Sequence, residues 1–127
     1  MEPDAGLDEL ARRTIGAAIE VHRHLGPGYL ESLYEEALAV ESTERRIPFA
    51  RQTEITVAYK GNEIGKGRFD LLIDRQLIVE LKTVDQLMPI HKAQVISYLK
   101  ATGLPLGLLI NFNVEVLKQG IERVVLT

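Results

Sequence analysis

The sequence predicts an α/β domain in which two helices precede a three-stranded antiparallel meander, a third helix and two further strands. Three observations predict it. Apolar residues recur at three- and four-residue steps through the first third of the chain. They alternate with polar residues from position 52 onward. A helical segment then separates the meander from a late apolar run at 106–111, which calls for a parallel crossover. The expected sheet is mixed, with about four to five strands flanked by helices.

Leu7, Leu10, Thr14, Ala17, Val21 and Leu25 draw one stripe on a first helix over 7–25. Asp4 can cap its start, and Gly26-Pro27-Gly28 stops it. A second helix is expected over 30–46, with Leu30, Leu33, Tyr34, Ala37, Leu38 and Glu41 at helical spacing and Pro48 beyond its end. Ile55, Val57 and Tyr59 alternate with Glu54, Thr56 and Ala58 in a first strand. Lys60-Gly61-Asn62-Glu63 is a hairpin turn, 64–73 a second strand, Asp74-Arg75-Gln76 another turn, and 77–84 a central apolar strand. The third helix follows Pro89, buries Ile90, Ala93, Ile96 and Leu99 or else Val95 and Tyr98, and closes at Gly103. The run 106–111 is a buried strand beside the central one, and 120–126 an edge strand. No internal repeat, low-complexity segment or linker interrupts this order, so 1–127 is expected to be a single domain.

Composition narrows the function classes. With 46% hydrophobic and 26% charged residues, the 127-residue chain has an ordinary globular balance. It contains no cysteine, so disulfides and thiolate metal sites are excluded, which fits a reducing cytoplasm. The start Met1-Glu2-Pro3-Asp4 is acidic and has no apolar core of a secretory leader, and no apolar run approaches a membrane span. The net charge of −3 is unlike that of domains that grip nucleic acid mainly by charge, whose pI exceeds about 9. Affinity for nucleic acid would have to come from a local patch or from metal.

The chemistry concentrates at Glu80-Leu81-Lys82. On a strand, Ile78, Glu80 and Lys82 point to one face and Leu77, Val79 and Leu81 to the other. Asp70 lies on the preceding strand, and the short turn at Asp74 can bring it beside Glu80. Two adjacent carboxylates either share a proton or gather a cation. Hard ions such as Mg²⁺ prefer carboxylate oxygens, activate water and stabilise phosphate charge, and a nearby lysine adds a positive point charge. Standing alone, Glu-x-Lys is more often a solvated ion pair of less than about 1 kcal/mol.

The order of elements around these residues resembles the PD-(D/E)XK nuclease superfamily, whose core is restriction-endonuclease-like. Asp70, a hairpin, Glu80-Leu81-Lys82, a helix carrying Gln94 and Tyr98, and a buried strand match its pattern. Gln94-x-x-x-Tyr98 resembles the RecB-like motif. More narrowly, Gly28-x-x-Glu31-x-x-Tyr34 is the signature of the GxxExxY family. Tyr59-Lys60-Gly61, Arg68-x-Asp70-Leu71-Leu72, His91-x-x-Gln94-x-x-x-Tyr98-Leu99 and Gly107-Leu108-Leu109-Ile110-Asn111-Phe112 match it as well. The resemblance implies a Mg²⁺- or Mn²⁺-dependent nuclease acting on DNA or RNA. It implies Asp70, Glu80 and the Leu81 carbonyl as metal ligands, Glu31 completing the set directly or through water, and Lys82 orienting the attacking water. Gln94 would meet metal water or substrate, and Tyr98 would line the cleft. Phe69 stands where the superfamily name has proline, a matter of backbone rather than chemistry.

Other residues have a plainer reading beside the functional one. Tyr34 shares a helix face with Glu31 but suits a core, and His91 shares one with Gln94 as a candidate near the site. His22, Arg23 and His24 read as surface, and Asn111 and Asn113 as turn residues. Arg12, Arg13, Arg45, Arg46 and Arg51, with Lys60, Lys66 and Arg68 by the hairpin, could form a basic strip for phosphates or be ordinary solvated charges. Two rivals to a nuclease remain: a non-catalytic nucleic-acid-binding module of the same fold, and a subunit that homodimerises through its edge strand or helix pair.

Overall fold

A computed structural model describes residues 4–126; residues 1–3, and with them most of the acidic start, lie outside the described residues, as does residue 127. The element order is α1 (Ala5–Leu25), α2 (Glu31–Glu44), β1 (Phe49–Tyr59), β2 (Asn62–Ile73), β3 (Leu77–Lys82), α3 (Pro89–Thr102), β4 (Leu106–Asn111), a short 3-10 turn (Leu117–Gly120) and β5 (Ile121–Val125). The strands form one five-stranded sheet in the order β1-β2-β3-β4-β5. All neighbours are antiparallel except β3 and β4, which run parallel through the α3 crossover. The expected mixed α/β architecture is therefore present, with β5 at an edge.

The two faces of the sheet carry separate cores. On one, Leu71, Val79, Leu81 and Ile110 pack with Leu10, Ala17 and Leu38 of the first two helices. On the other, Phe69, Ile78, Leu109 and Val124 pack with Val95, Tyr98 and Leu99 of α3. The near-continuous apolar runs of β3 and β4 follow from this double coverage, since both faces are removed from water.

α1 follows its stripe. The Leu7 N–H donates to Asp4 Oδ1 at 2.8 Å, which caps the helix start. At the other end Gly26 adopts φ 67 and its N–H closes on the His22 carbonyl at 2.8 Å. His22 is not a surface residue: it is buried and its ring nitrogen meets the Val114 carbonyl at 2.7 Å.

α2 is rotated relative to the expected stripe. Leu30 is 73% and Leu33 47% exposed, whereas Tyr34, Glu35, Leu38, Ala39 and Ser42 are buried. The rotation carries the Glu35 carboxylate toward β1, where it finds charged and amide partners. Tyr34 stacks on Phe112 with centroids 4.5 Å apart, and its hydroxyl donates to the Gly26 carbonyl at 2.5 Å while accepting from the Tyr29 N–H at 3.2 Å. This side chain ties the Gly-Pro-Gly turn to the core.

α3 buries the second of the two expected stripes together with Leu99 of the first. Val95, Tyr98 and Leu99 are buried, while Ile90 is 71% exposed and Ala93 faces solvent. Gly107 on β4 allows this helix its close approach. A Cβ there would fall 2.6 Å from Val95 Cγ1. Gly107→Ala should therefore destabilise the protein by about 1–3 kcal/mol through overpacking, measured as the change in urea midpoint at unchanged slope. An unaltered midpoint would show that α3 can move aside freely. β1 begins three residues before the expected strand, and β3 ends at Lys82 rather than at 84. Beyond that end the buried Asn111 side chain accepts from the Val84 N–H at 3.0 Å and donates to its carbonyl at 2.8 Å, so Asn111 holds the exit from β3.

Candidate active site

The ladder between β2 and β3 stops at Leu71–Val79. One residue earlier on β2, side chains take over from backbone. The Leu81 N–H donates to Asp70 Oδ2 at 2.7 Å, and the Asp70 N–H donates to Glu80 Oε1 at 3.2 Å. The two carboxylates thus each satisfy the other strand's backbone where the strands part. Lys82 Nζ lies 3.6 Å from Glu80 Oε2 and is mostly buried. The convergence of Asp70, Glu80 and Lys82 expected from adjacent strands is present.

Electrostatics here are unfavourable to two full negative charges. Glu80 is only 6% exposed. Burial pushes its carboxyl up to about 8, the Asp70 charge adds to the rise, and Lys82 opposes it. Burial likewise raises the Glu31 carboxyl from its ordinary value, with Asp70 and Glu35 adding and Lys82 opposing. Glu31 on α2 therefore sits within the electrostatic field of Asp70 and Lys82.

α2 and β1 contribute two residues that the sequence reading did not single out, Glu35 and Gln52. The buried Glu35 carboxylate accepts from Arg51 Nε at 2.9 Å and from Gln52 Nε2 at 2.7 Å. The same Gln52 amide reaches Asp70 Oδ1 at 3.3 Å. Arg51 also pairs with Glu36, and Lys66 with Glu54, so these two cations are matched locally and form no free basic strip. The available signal was the spacing of Glu31 and Glu35, one helical turn apart.

α3 supplies the far wall. Burial raises the Tyr98 phenol to about 12, with the Glu80 and Asp70 charges adding and a hydrogen bond with Gln94 opposing. Gln94, His91 and Ser97 line an open cleft of about 480 Å³ together with Lys82. The His91 Nδ1 accepts from the Met88 N–H at 2.9 Å, so that ring nitrogen is engaged at the helix start. Arg68 is exposed two residues before Asp70, opposite Glu54. Tyr34, a candidate near the site with a core role as its plainer reading, is fully buried, with its hydroxyl on Gly26.

The donor chemistry suits a hard divalent cation. Asp70 and Glu80 offer only oxygens, in a place where burial and the neighbouring charge both disfavour ionisation and an added positive charge would relieve it. Among the described residues no group of three or more His, Cys, Asp or Glu side chains is gathered to hold a metal. A two-carboxylate site leaves the other coordination positions to a backbone carbonyl, water and substrate, as Mg²⁺ prefers.

Among the described residues no helix is long and apolar enough to cross a membrane. No curated protein and no solved structure matches the chain. A family model described as the PD-(D/E)XK nuclease superfamily matches residues 8–124. That span runs from α1 into β5 and takes in the acidic pair, the lysine and the helix facing them. With its restriction-endonuclease-like core, the chain belongs to the PD-(D/E)XK nuclease superfamily.

Proposed function

We propose that the protein is a Mg²⁺- or Mn²⁺-dependent nuclease that hydrolyses phosphodiester bonds of DNA or RNA. The observation that carries this reading is the exchange of backbone hydrogen bonds between the Asp70 and Glu80 carboxylates with Lys82 alongside. Asp70, Glu80 and the Leu81 carbonyl would hold the ion, and Glu31 would complete the set directly or through water. When bound, the ion supplies Lewis acidity toward the phosphate and a counter-charge for the carboxylates. Lys82 holds its ammonium where it can orient the attacking water and offset charge developing on the phosphate. Gln94 and Tyr98 line the approach from α3, and His91 lies on the same wall. Narrower kinship with the GxxExxY family is supported by Gly28, Glu31 and Tyr34 in the signature spacing.

The experiment is incubation of the pure protein with single- and double-stranded DNA and RNA plus Mg²⁺ or Mn²⁺, alongside calorimetric titration of Mn²⁺. The expected result is cleavage, with Mn²⁺ binding lost in Asp70→Ala and Glu80→Ala. Absence of cleavage above the Lys82→Ala control across all substrates would count against catalysis. The second reading is a non-catalytic nucleic-acid-binding or interaction module that keeps the fold. It is favoured by the net charge of −3 and by the local matching of Arg51 and Lys66. Nucleic-acid binding that persists in Asp70→Ala without metal would support it.

A further inference from the structure

We infer that Gln52 is a positioning residue for the metal-binding carboxylate of Asp70, and that the Arg51–Glu35 pair holds Gln52 in place. This rests on the proposed metal-dependent reading of the Asp70–Glu80 site and assigns it a supporting layer drawn from β1 and α2.

The backbone sets up the arrangement. The β1–β2 ladder pairs Arg51 with Leu71 and Thr53 with Phe69 but skips the rung between Gln52 and Asp70. At that place Gln52 adopts φ 49, the left-handed region that side chains other than glycine rarely occupy. Such conformations persist where surrounding contacts over-determine them, and they gather at functional sites. Here the contacts are visible. The Gln52 amide nitrogen donates to Glu35 Oε1 at 2.7 Å and to Asp70 Oδ1 at 3.3 Å. Its two hydrogens suffice for both bonds.

Each partner is in turn restrained. Glu35 Oε2 accepts from Arg51 Nε at 2.9 Å, which balances the charge of a carboxylate that is only 8% exposed. Asp70 Oδ2 accepts from the Leu81 N–H at 2.7 Å. Gln52 on one oxygen and Leu81 on the other therefore fix the plane of the Asp70 carboxyl group. The set joins a buried glutamate, an arginine and a glutamine. Its geometric product is a carboxylate held at both oxygens. Groups in this outer layer orient the ligand, and their loss commonly weakens metal affinity by about 10–100-fold.

The test compares Mn²⁺ affinity by calorimetry, and Tm in metal-free buffer, for wild type, Gln52→Met and Glu35→Gln. Methionine keeps the length of the side chain and removes both hydrogen bonds. The expected result is a folded Gln52→Met protein, lower in Tm because the buried Glu35 loses a donor, that binds Mn²⁺ about 10–100-fold more weakly. A folded Gln52→Met protein whose affinity is within twofold of wild type would overturn the inference. Should Gln52→Met fail to fold, Glu35→Gln decides. A smaller Mn²⁺-induced rise in Tm than in wild type supports the relay, and an equal rise refutes it. A wild type that binds no Mn²⁺ at all would instead overturn the reading of the site, and this inference with it.

Discussion

Replacing Lys82 with alanine should lower phosphodiester cleavage by on the order of 10²–10³-fold, the usual loss when one preorganised group that stabilises developing charge is removed. The lysine closes β3, and its ammonium is 3.6 Å from Glu80 Oε2. Its side chain is mostly buried beside Glu80, so alanine also removes a partner from a buried carboxyl, and folding has to be checked alongside the rate. Glu80 would lose the one charge that opposes its raised pKa and would hold its proton more firmly. Lys82→Arg should not restore the rate in full, because a planar guanidinium places its charge differently from a compact ammonium. The measurement is kcat/KM on the best substrate found, with circular dichroism to check folding. A folded Lys82→Ala enzyme within tenfold of wild type would remove this lysine from the mechanism.

In metal-free buffer the protein should lose thermal stability as pH rises from about 4.5 to about 8. The sign follows from proton binding. In the unfolded chain Glu80 releases its proton near 4.5, whereas in the folded protein burial and Asp70 hold it to about 8. Across that window the folded state binds more protons, so raising the pH favours unfolding. The raised Glu31 carboxyl acts in the same direction. Glu80→Gln should flatten the slope and raise Tm at the alkaline end. Added Mn²⁺ should reverse it in wild type, since the ion binds the ionised carboxylates and stabilises the state that holds them. Scanning calorimetry with chelator at both ends of the window checks this. A Glu80→Gln protein with the wild-type slope would assign the effect to other groups.

Much of the fold was legible because its strongest signals are local. The α1 stripe, the turns at Lys60-Gly61 and Asp74-Arg75, and the apolar runs of β3 and β4 each specify their element without distant help. The Asp70–Glu80 meeting was legible too, because a short turn fixes how β2 and β3 align. Periodicity failed where a long-range polar contact decides orientation. In α2 it assigned burial to Leu30 and Leu33, but Glu35 takes a buried place because Arg51, sixteen residues on, is there to pair with it. Gln52 carries no sequence mark of its left-handed backbone, which only the skipped rung opposite Asp70 explains. His22 illustrates the same limit: its neighbours Arg23 and His24 made it look solvated, while its ring reaches a carbonyl 92 positions away.

The long β1–β2 ribbon has a consequence for solubility. β2 pairs with β3 at Leu71, Leu72 and Ile73, so its mostly exposed stretch from 62 to 68 offers main-chain donors and acceptors to any passing strand. Exposed rims of this kind nucleate polymerisation unless something discourages it. Here Glu63, Lys66 and Arg68 all stand exposed along the rim, and an incoming strand would have to strip them of water. The opening beside the acidic pair is thus kept accessible by charges that also deter self-templating.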